Sequence, residues 1–235
     1  MNDALKVMKL QLAKRGQTLV PTVAVPLGVS AVILTVFAIL MSSLPAGEVQ
    51  RAASSGAGIH QAVFWGLFGF GVVSMATSYP IARALGASRS GYTLGTLAYF
   101  LVVAVMVVVL MAVLYLVEVA TNHWFIGVHL TDTPILGGGG LVALAALALP
   151  GALFASCFGA VFGAVWLRFG TIGPWVAGFI VVVLASAGVI VFVLNIGTLG
   201  PWLTTWTIAL AFALGVVVAT LANRGIMRDV SVRGS

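Results

Sequence analysis

The sequence predicts an all-α, polytopic membrane protein that crosses the bilayer six times, and three observations predict it. Hydrophobic residues make up 61% of the 235 positions and charged residues only 7%, against roughly 25% charged in a soluble domain. So few charges cannot cover a water-facing surface. The apolar residues are gathered into six runs of membrane-spanning length, and ten of the eleven basic residues lie on one side of those runs.

The runs cover approximately residues 22–42, 61–82, 95–120, 140–167, 174–194 and 203–223. Each approaches or exceeds the roughly 20 residues that a helix needs to cross the hydrocarbon core. Pro26, Pro80 and Pro150 fall inside them, which membrane helices tolerate better than soluble ones. The whole chain, 1–235, therefore reads as a single transmembrane domain with no room for a separate aqueous one. Before span one, residues 1–20 are too short and too charged to cross. Leu5, Met8 and Leu12 form an apolar arc there, so an amphipathic helix on the inner leaflet is expected, with a disordered basic tail as the alternative. The same stretch lacks a short apolar core with an A-x-A site, and no cleaved signal peptide is expected.

Charge sets the orientation. Lys6, Lys9, Lys14 and Arg15 precede span one, Arg83 and Arg89 join spans two and three, Arg168 joins four and five, and Arg224, Arg228 and Arg233 end the chain. Arg51 stands alone on the other side. The positive-inside rule then places both termini and the turn after span two in the cytoplasm of a cell inner or plasma membrane. Trp65, Trp124, Trp202 and Trp206 mark the outer ends of spans, and Trp166 and Trp175 the inner ends, as aromatic belts do. The net charge of +6 lies beside spans rather than in one stripe, so it reads as a topology signal with some attraction to anionic lipid. Nucleic acid is not an expected partner.

Several chemistries are excluded by inventory. No lysine follows Lys14, so a P-loop and ATP binding through it are ruled out. The chain has no H-E-x-x-H, C-x-x-C or G-x-S-x-G. Cys157 is the single cysteine, which excludes an internal disulfide and a cysteine zinc site. His60, His123 and His129 fall in or beside outer loops and read as ordinary loop residues, so no metal is expected. The glycines at 137–140 read as a flexible entry to span four. The spans hold essentially one acid, Glu118, near the outer end of span three. It reads as a hydrated interfacial carboxylate, with a role in a substrate pathway beside Tyr115 as the alternative.

Span four carries Gly151, Ala155, Gly159 and Gly163 at every fourth position, flanked by Ala148, Ala152, Ser156, Ala160 and Ala164. Residues four apart share a helix face, and a face of small residues admits a close neighbouring backbone. A packing surface is expected there, with its partner in this chain or another.

The turn between spans two and three reads "YPIARALGASRSGYTLGT": a short helix ending near Gly86, then a tight polar link punctuated by Gly91. Leu85, Gly86, Ser88, Arg89, Tyr92, Gly95 and Thr96 match a phrase of the form L-G-x-[ST]-R-x-x-[FY]-x-x-G-[ST], and here the chain resembles the ABC-2-type permeases of bacterial ATP-binding-cassette exporters. The basic tail and the six-span plan extend the likeness. The short segment between spans five and six departs from the sterol- and drug-exporting eukaryotic branch, so a large external lid is not expected. The resemblance implies a transmembrane subunit paired with a second permease copy or paralogue and seated on two cytoplasmic ATPase subunits, which bind ATP and Mg while this chain binds no cofactor. The turn would be the cytoplasmic coupling helix, with Arg83, Leu85, Gly86, Ser88, Arg89 and Tyr92 as its coupling residues. An apolar pathway with few charges suits a hydrophobic or amphipathic drug, peptide or lipid. Two other classes stay open: a non-transporting scaffold or resistance sensor that also binds an ATPase, and a membrane-embedded lipid-modifying enzyme.

Overall fold

The computed structural model describes residues 3–13, 16, 20–43, 59–132, 140–200 and 204–228. The described residues are almost entirely helical and contain no strand. In lipid a backbone must satisfy its own hydrogen bonds, which a helix does within one segment. A short helix α1 (Asp3–Ala13) is followed by six long ones: α2 (Val25–Ser43), α3 (Ile59–Ala84), α4 (Arg89–Ala120), α5 (Gly140–Phe169), α6 (Ile172–Leu194) and α7 (Thr205–Arg228). Each of α2–α7 contains a stretch long and apolar enough to cross a membrane. A single helical turn, Ile196–Leu199, follows α6. The 32 residues of α4 measure roughly 48 Å at 1.5 Å per residue, well beyond a hydrocarbon core of about 30 Å.

The core is the contact of α3 with α5, and small residues build it. A Cβ on Gly159 would collide with the carbonyl oxygen of Phe68, and one on Gly71 with that of Ser156. One on Gly163 would lie 2.7 Å from Met75 Cβ. The two backbones thus touch where each helix lacks a side chain, the close approach that small-residue spacing permits. The face therefore finds its neighbour within the same chain. Gly151 sits beyond this contact, where a Cβ would meet Phe212 of α7 at an ordinary 3.7 Å. Ala155 is fully buried. Around the close contact runs a ladder of rings: Phe68 packs on Phe158 at 5.7 Å and on Phe162 at 5.2 Å, and Phe154 bridges to Phe212 at 5.6 Å. By contrast, α6 has almost no buried residue; its valines, isoleucines and leucines face outward on all sides.

The α1 helix differs from the expected surface arc. Its buried residues are Val7 and Gln11, whereas Leu5 is 46% exposed. It is docked on α4, where glycines make room: a Cβ on Gly91 would lie 2.6 Å from Asp3 Cβ, and one on Gly95 would lie 2.5 Å from the Ala4 carbonyl oxygen. Gln11 Nε2 then donates to Ser78 Oγ at 2.8 Å and to Thr96 Oγ1 at 3.2 Å. A buried amide needs partners, and α3 and α4 each supply a hydroxyl.

Candidate functional site

Two ends of the bundle and one cavity hold nearly all the polar chemistry. At the first end, α3 stops and α4 starts within four residues. Gly86, at φ +78°, takes the left-handed conformation that glycine accepts without strain. Gly86 N–H donates to the Arg83 carbonyl at 3.0 Å and Ala87 N–H to the Ala82 carbonyl at 2.9 Å, the Schellman pattern that satisfies the last carbonyls of a helix. Two residues later Ser88 caps α4, accepting from Gly91 N–H at 3.1 Å, and its hydroxyl donates to Asp3 Oδ2 at 3.1 Å. The expected short helix is therefore absent: α3 continues to Ala84 and the turn is a helix stop joined directly to a helix start.

The matched phrase divides in two. Leu85, at 73% exposure, Gly86, Ser88 and Arg89 are on the surface. Arg83 is half-buried, its Nη1 donating to the Ala87 carbonyl at 2.9 Å. Tyr92, Gly95 and Thr96 point inward. Tyr92 is 2% exposed, its hydroxyl 2.8 Å from Ser78 Oγ and 3.4 Å from Met75 Sδ. Its hydroxyl joins α3 to α4, and Tyr92 also forms part of the wall of a recess of about 650 Å³ that opens beside the turn. Arg83, Arg89 and, from the far end of α7, Arg224 line it together with Tyr79 and Met227. In the sequence Arg224 is one of several tail arginines, and only the packing of α7 brings it to this wall.

At the opposite end of α4, Glu118 is fully buried, so the hydrated carboxylate expected there is not found. Its Oε1 accepts from Leu130 N–H at 3.0 Å and, at a long 3.4 Å, from Asp132 N–H. Its Oε2 accepts from Thr131 N–H at 2.8 Å and from Thr131 Oγ1 at 2.6 Å. These donors return from a loop that leaves α4 through four consecutive non-glycine residues at positive φ, Asn122 to Phe125, between 50° and 62°. His123 and His129 come together there, ring centroids 3.9 Å apart, with His123 Nδ1 3.6 Å from Glu118 Oε1. Tyr115 lies one turn earlier, its hydroxyl close to Gly140 at the start of α5.

Neither Tyr115 nor Glu118 lines the apolar cavity of the bundle. That cavity, about 290 Å³, is walled by α3, α4, α5 and α7 through residues that include Phe64, Leu67, Met111, Leu147 and Phe212. Its polar side chains are Gln61 and His60, whose buried Nε2 has no hydrogen-bond partner. His60 begins α3, and sequence reading left it as a loop histidine. Its signal was position alone: a pair of polar residues, His60 and Gln61, at the head of a long apolar helix.

Trp65, Trp166, Trp175 and Trp206 are exposed on the helices, as lipid-facing rings would be, while Trp124 is half-buried in the left-handed turn. Arg51, Trp202 and residues 137–139 lie outside the described residues. No protein-family model matches this chain, and no curated protein or solved structure matches it.

Proposed function

We propose that this chain is the transmembrane permease subunit of an ATP-binding-cassette exporter of the ABC-2 type, working as one of two permease copies or paralogues on two cytoplasmic ATPase subunits. The observation that carries the reading is the arginine-lined recess beside the α3–α4 turn. A membrane subunit that cannot bind ATP through a P-loop needs a surface on which a nucleotide-hydrolysing partner can push. The recess gathers cations from three helix ends, and the turn beside it carries an exposed apolar tip, Leu85. Arginine forks match carboxylates and helix C-termini, so the partner face would be acidic. The ten basic residues read as inner-side anchors put the recess, α1 and both termini in the cytoplasm. The apolar cavity, with His60 as its polar handle, would be part of the path for a hydrophobic or amphipathic drug, peptide or lipid.

The reading is tested by co-expressing the chain with candidate P-loop ATPase subunits from the same genome and measuring co-purification and substrate-stimulated ATP hydrolysis. Arg89→Glu should insert normally, because the other inner arginines and lysines still fix the topology. Losing a charge-assisted hydrogen bond typically costs about 1.5–3 kcal/mol, so recovery of the complex should fall roughly ten- to hundredfold. A fully retained complex with undiminished coupled hydrolysis would make Arg89 a topology anchor only. ATPase activity of the chain alone would remove the reading altogether.

A further inference from the structure

The Glu118 end of α4 carries a second, independent assignment that the transport reading does not use. We infer that Glu118, His123 and His129 bind one divalent transition-metal ion of the zinc class. One ligand atom from each of the three lies within 4.8 Å of the others. Ligand atoms around a tetrahedral zinc with bonds of about 2.0–2.2 Å sit roughly 3.3–3.6 Å apart, and the 3.6 Å from His123 Nδ1 to Glu118 Oε1 already has that spacing. The rest of the triangle closes by a shift on the order of 1 Å.

Three further observations point to an ion. His123 Nδ1 is buried with no hydrogen-bond partner, and 3.6 Å is too long for a hydrogen bond to Glu118. An orphaned imidazole nitrogen beside a carboxylate is what a metal ligand looks like without its ion. His129 Nδ1 lies 2.9 Å from the Asp132 carbonyl, so it carries the proton and leaves Nε2 with its lone pair, the outer-shell arrangement that orients metal-bound histidines. The weaker donor set of Glu118 is on the side facing His123. Its Oε2 is filled by Thr131, whereas Oε1, the oxygen facing His123, holds one good bond and one long one.

The backbone supplies the last argument. A left-handed residue costs roughly 1–2 kcal/mol when it carries a side chain, and four in succession bring His123 over His129 and Glu118. Strain of this kind persists where the surroundings enforce it, most often at binding sites. Two imidazoles and a carboxylate select zinc, cobalt or nickel over magnesium and calcium, which demand oxygen cages. The bound ion would clamp the loop at 123–132 to the end of α4, with water as its fourth ligand.

The test uses full-length protein in detergent, free of any polyhistidine tag and stripped with a chelator, then titrated with Zn²⁺ against a chromophoric competitor. One zinc should bind per chain, unaffected by millimolar Mg²⁺. His123→Ala and His129→Ala should each weaken it by more than the roughly ten- to hundredfold typical of losing an outer-shell partner. X-ray absorption of the zinc-loaded wild-type protein should show two imidazole ligands, which decides the matter even if a variant fails to fold. Wild-type protein that takes up no more zinc than the His123→Ala/His129→Ala double variant, or an absorption spectrum without imidazole, would overturn the site.

Discussion

Both ends of α4 carry a charge that the helix itself disfavours. Arg89 is the first residue, at the positive end of the helix dipole, and Glu118 lies in the last turn, at the negative end. Each placement costs on the order of 0.3–1 kcal/mol where it is exposed, so neither charge is there to stabilise α4. The two ends then diverge. Around Glu118 the protein has turned inward: four donors from a strained loop converge on one buried carboxylate. Around Arg89 it has stayed open, with an exposed side chain on a wide recess and the cap chemistry left to Ser88 and Asp3. One end encloses its charge within the protein, and the other presents its charges at the surface.

The largest expected effect comes from breaking the closed end. Glu118→Ala would leave the amides of Leu130 and Thr131 and the Thr131 hydroxyl buried without an acceptor. Removing one member of a buried charged network typically costs about 3–5 kcal/mol. Thermal unfolding in detergent should show that loss, and Glu118→Gln, which keeps one acceptor oxygen, should show less. A wild-type midpoint for Glu118→Ala would mean the loop holds itself.

Next is the span that links the ends. Gly159→Leu must separate α3 from α5, because its side chain would occupy the place of the Phe68 carbonyl. Overpacking costs about 1–3 kcal/mol, and a backbone contact belongs at the upper limit. Leucine at Val182, which is 63% exposed on α6, should change nothing. Equal midpoints for the two variants would contradict the packing.

The open end should be the more tolerant. Gly86→Ala forces a side chain into the left-handed region at about 1 kcal/mol, with no added clash because nothing lies within 4 Å of the new methyl. Arg89→Glu should move the unfolding midpoint least of all, within about 0.5 kcal/mol, since the side chain is exposed at the surface. If Arg89→Glu destabilised the isolated chain as much as Glu118→Ala, the contrast between the ends would collapse.

The six spans were legible because length and hydropathy alone define them, and most sequence boundaries fall within two residues of the helix ends. The exception at the start of a span is informative. The apolar run begins at 95, but α4 begins at Arg89, because in its first two turns Arg89 and Ser90 are exposed while Gly91, Tyr92 and Gly95 are buried against α1 and α3 rather than against lipid. Hydropathy does not register a serine, tyrosine or threonine whose partner is another helix. On α1 the apolar arc marks only part of the docked face: Met8 and Leu12 pack against the core, and the polar Gln11 docks beside them. The Glu118 centre was hidden by a different cause. Its donors lie 12–14 residues away in a loop without periodicity, and non-glycine residues give no signal of a left-handed turn.

The contacts of Gly71 with the Ser156 carbonyl and of Gly159 with the Phe68 carbonyl have a mechanical consequence. Where backbone meets backbone there is no side-chain cushion to absorb shear, so α3 and α5 would tilt together about this contact. The 26 residues of α3 make that helix roughly 39 Å long. A tilt of about 5° around its middle would swing each tip by on the order of 1.7 Å, in opposite directions. One tip bears Arg83 and the other His60. A push at the arginine recess would therefore arrive, reversed, at the polar mouth of the apolar cavity.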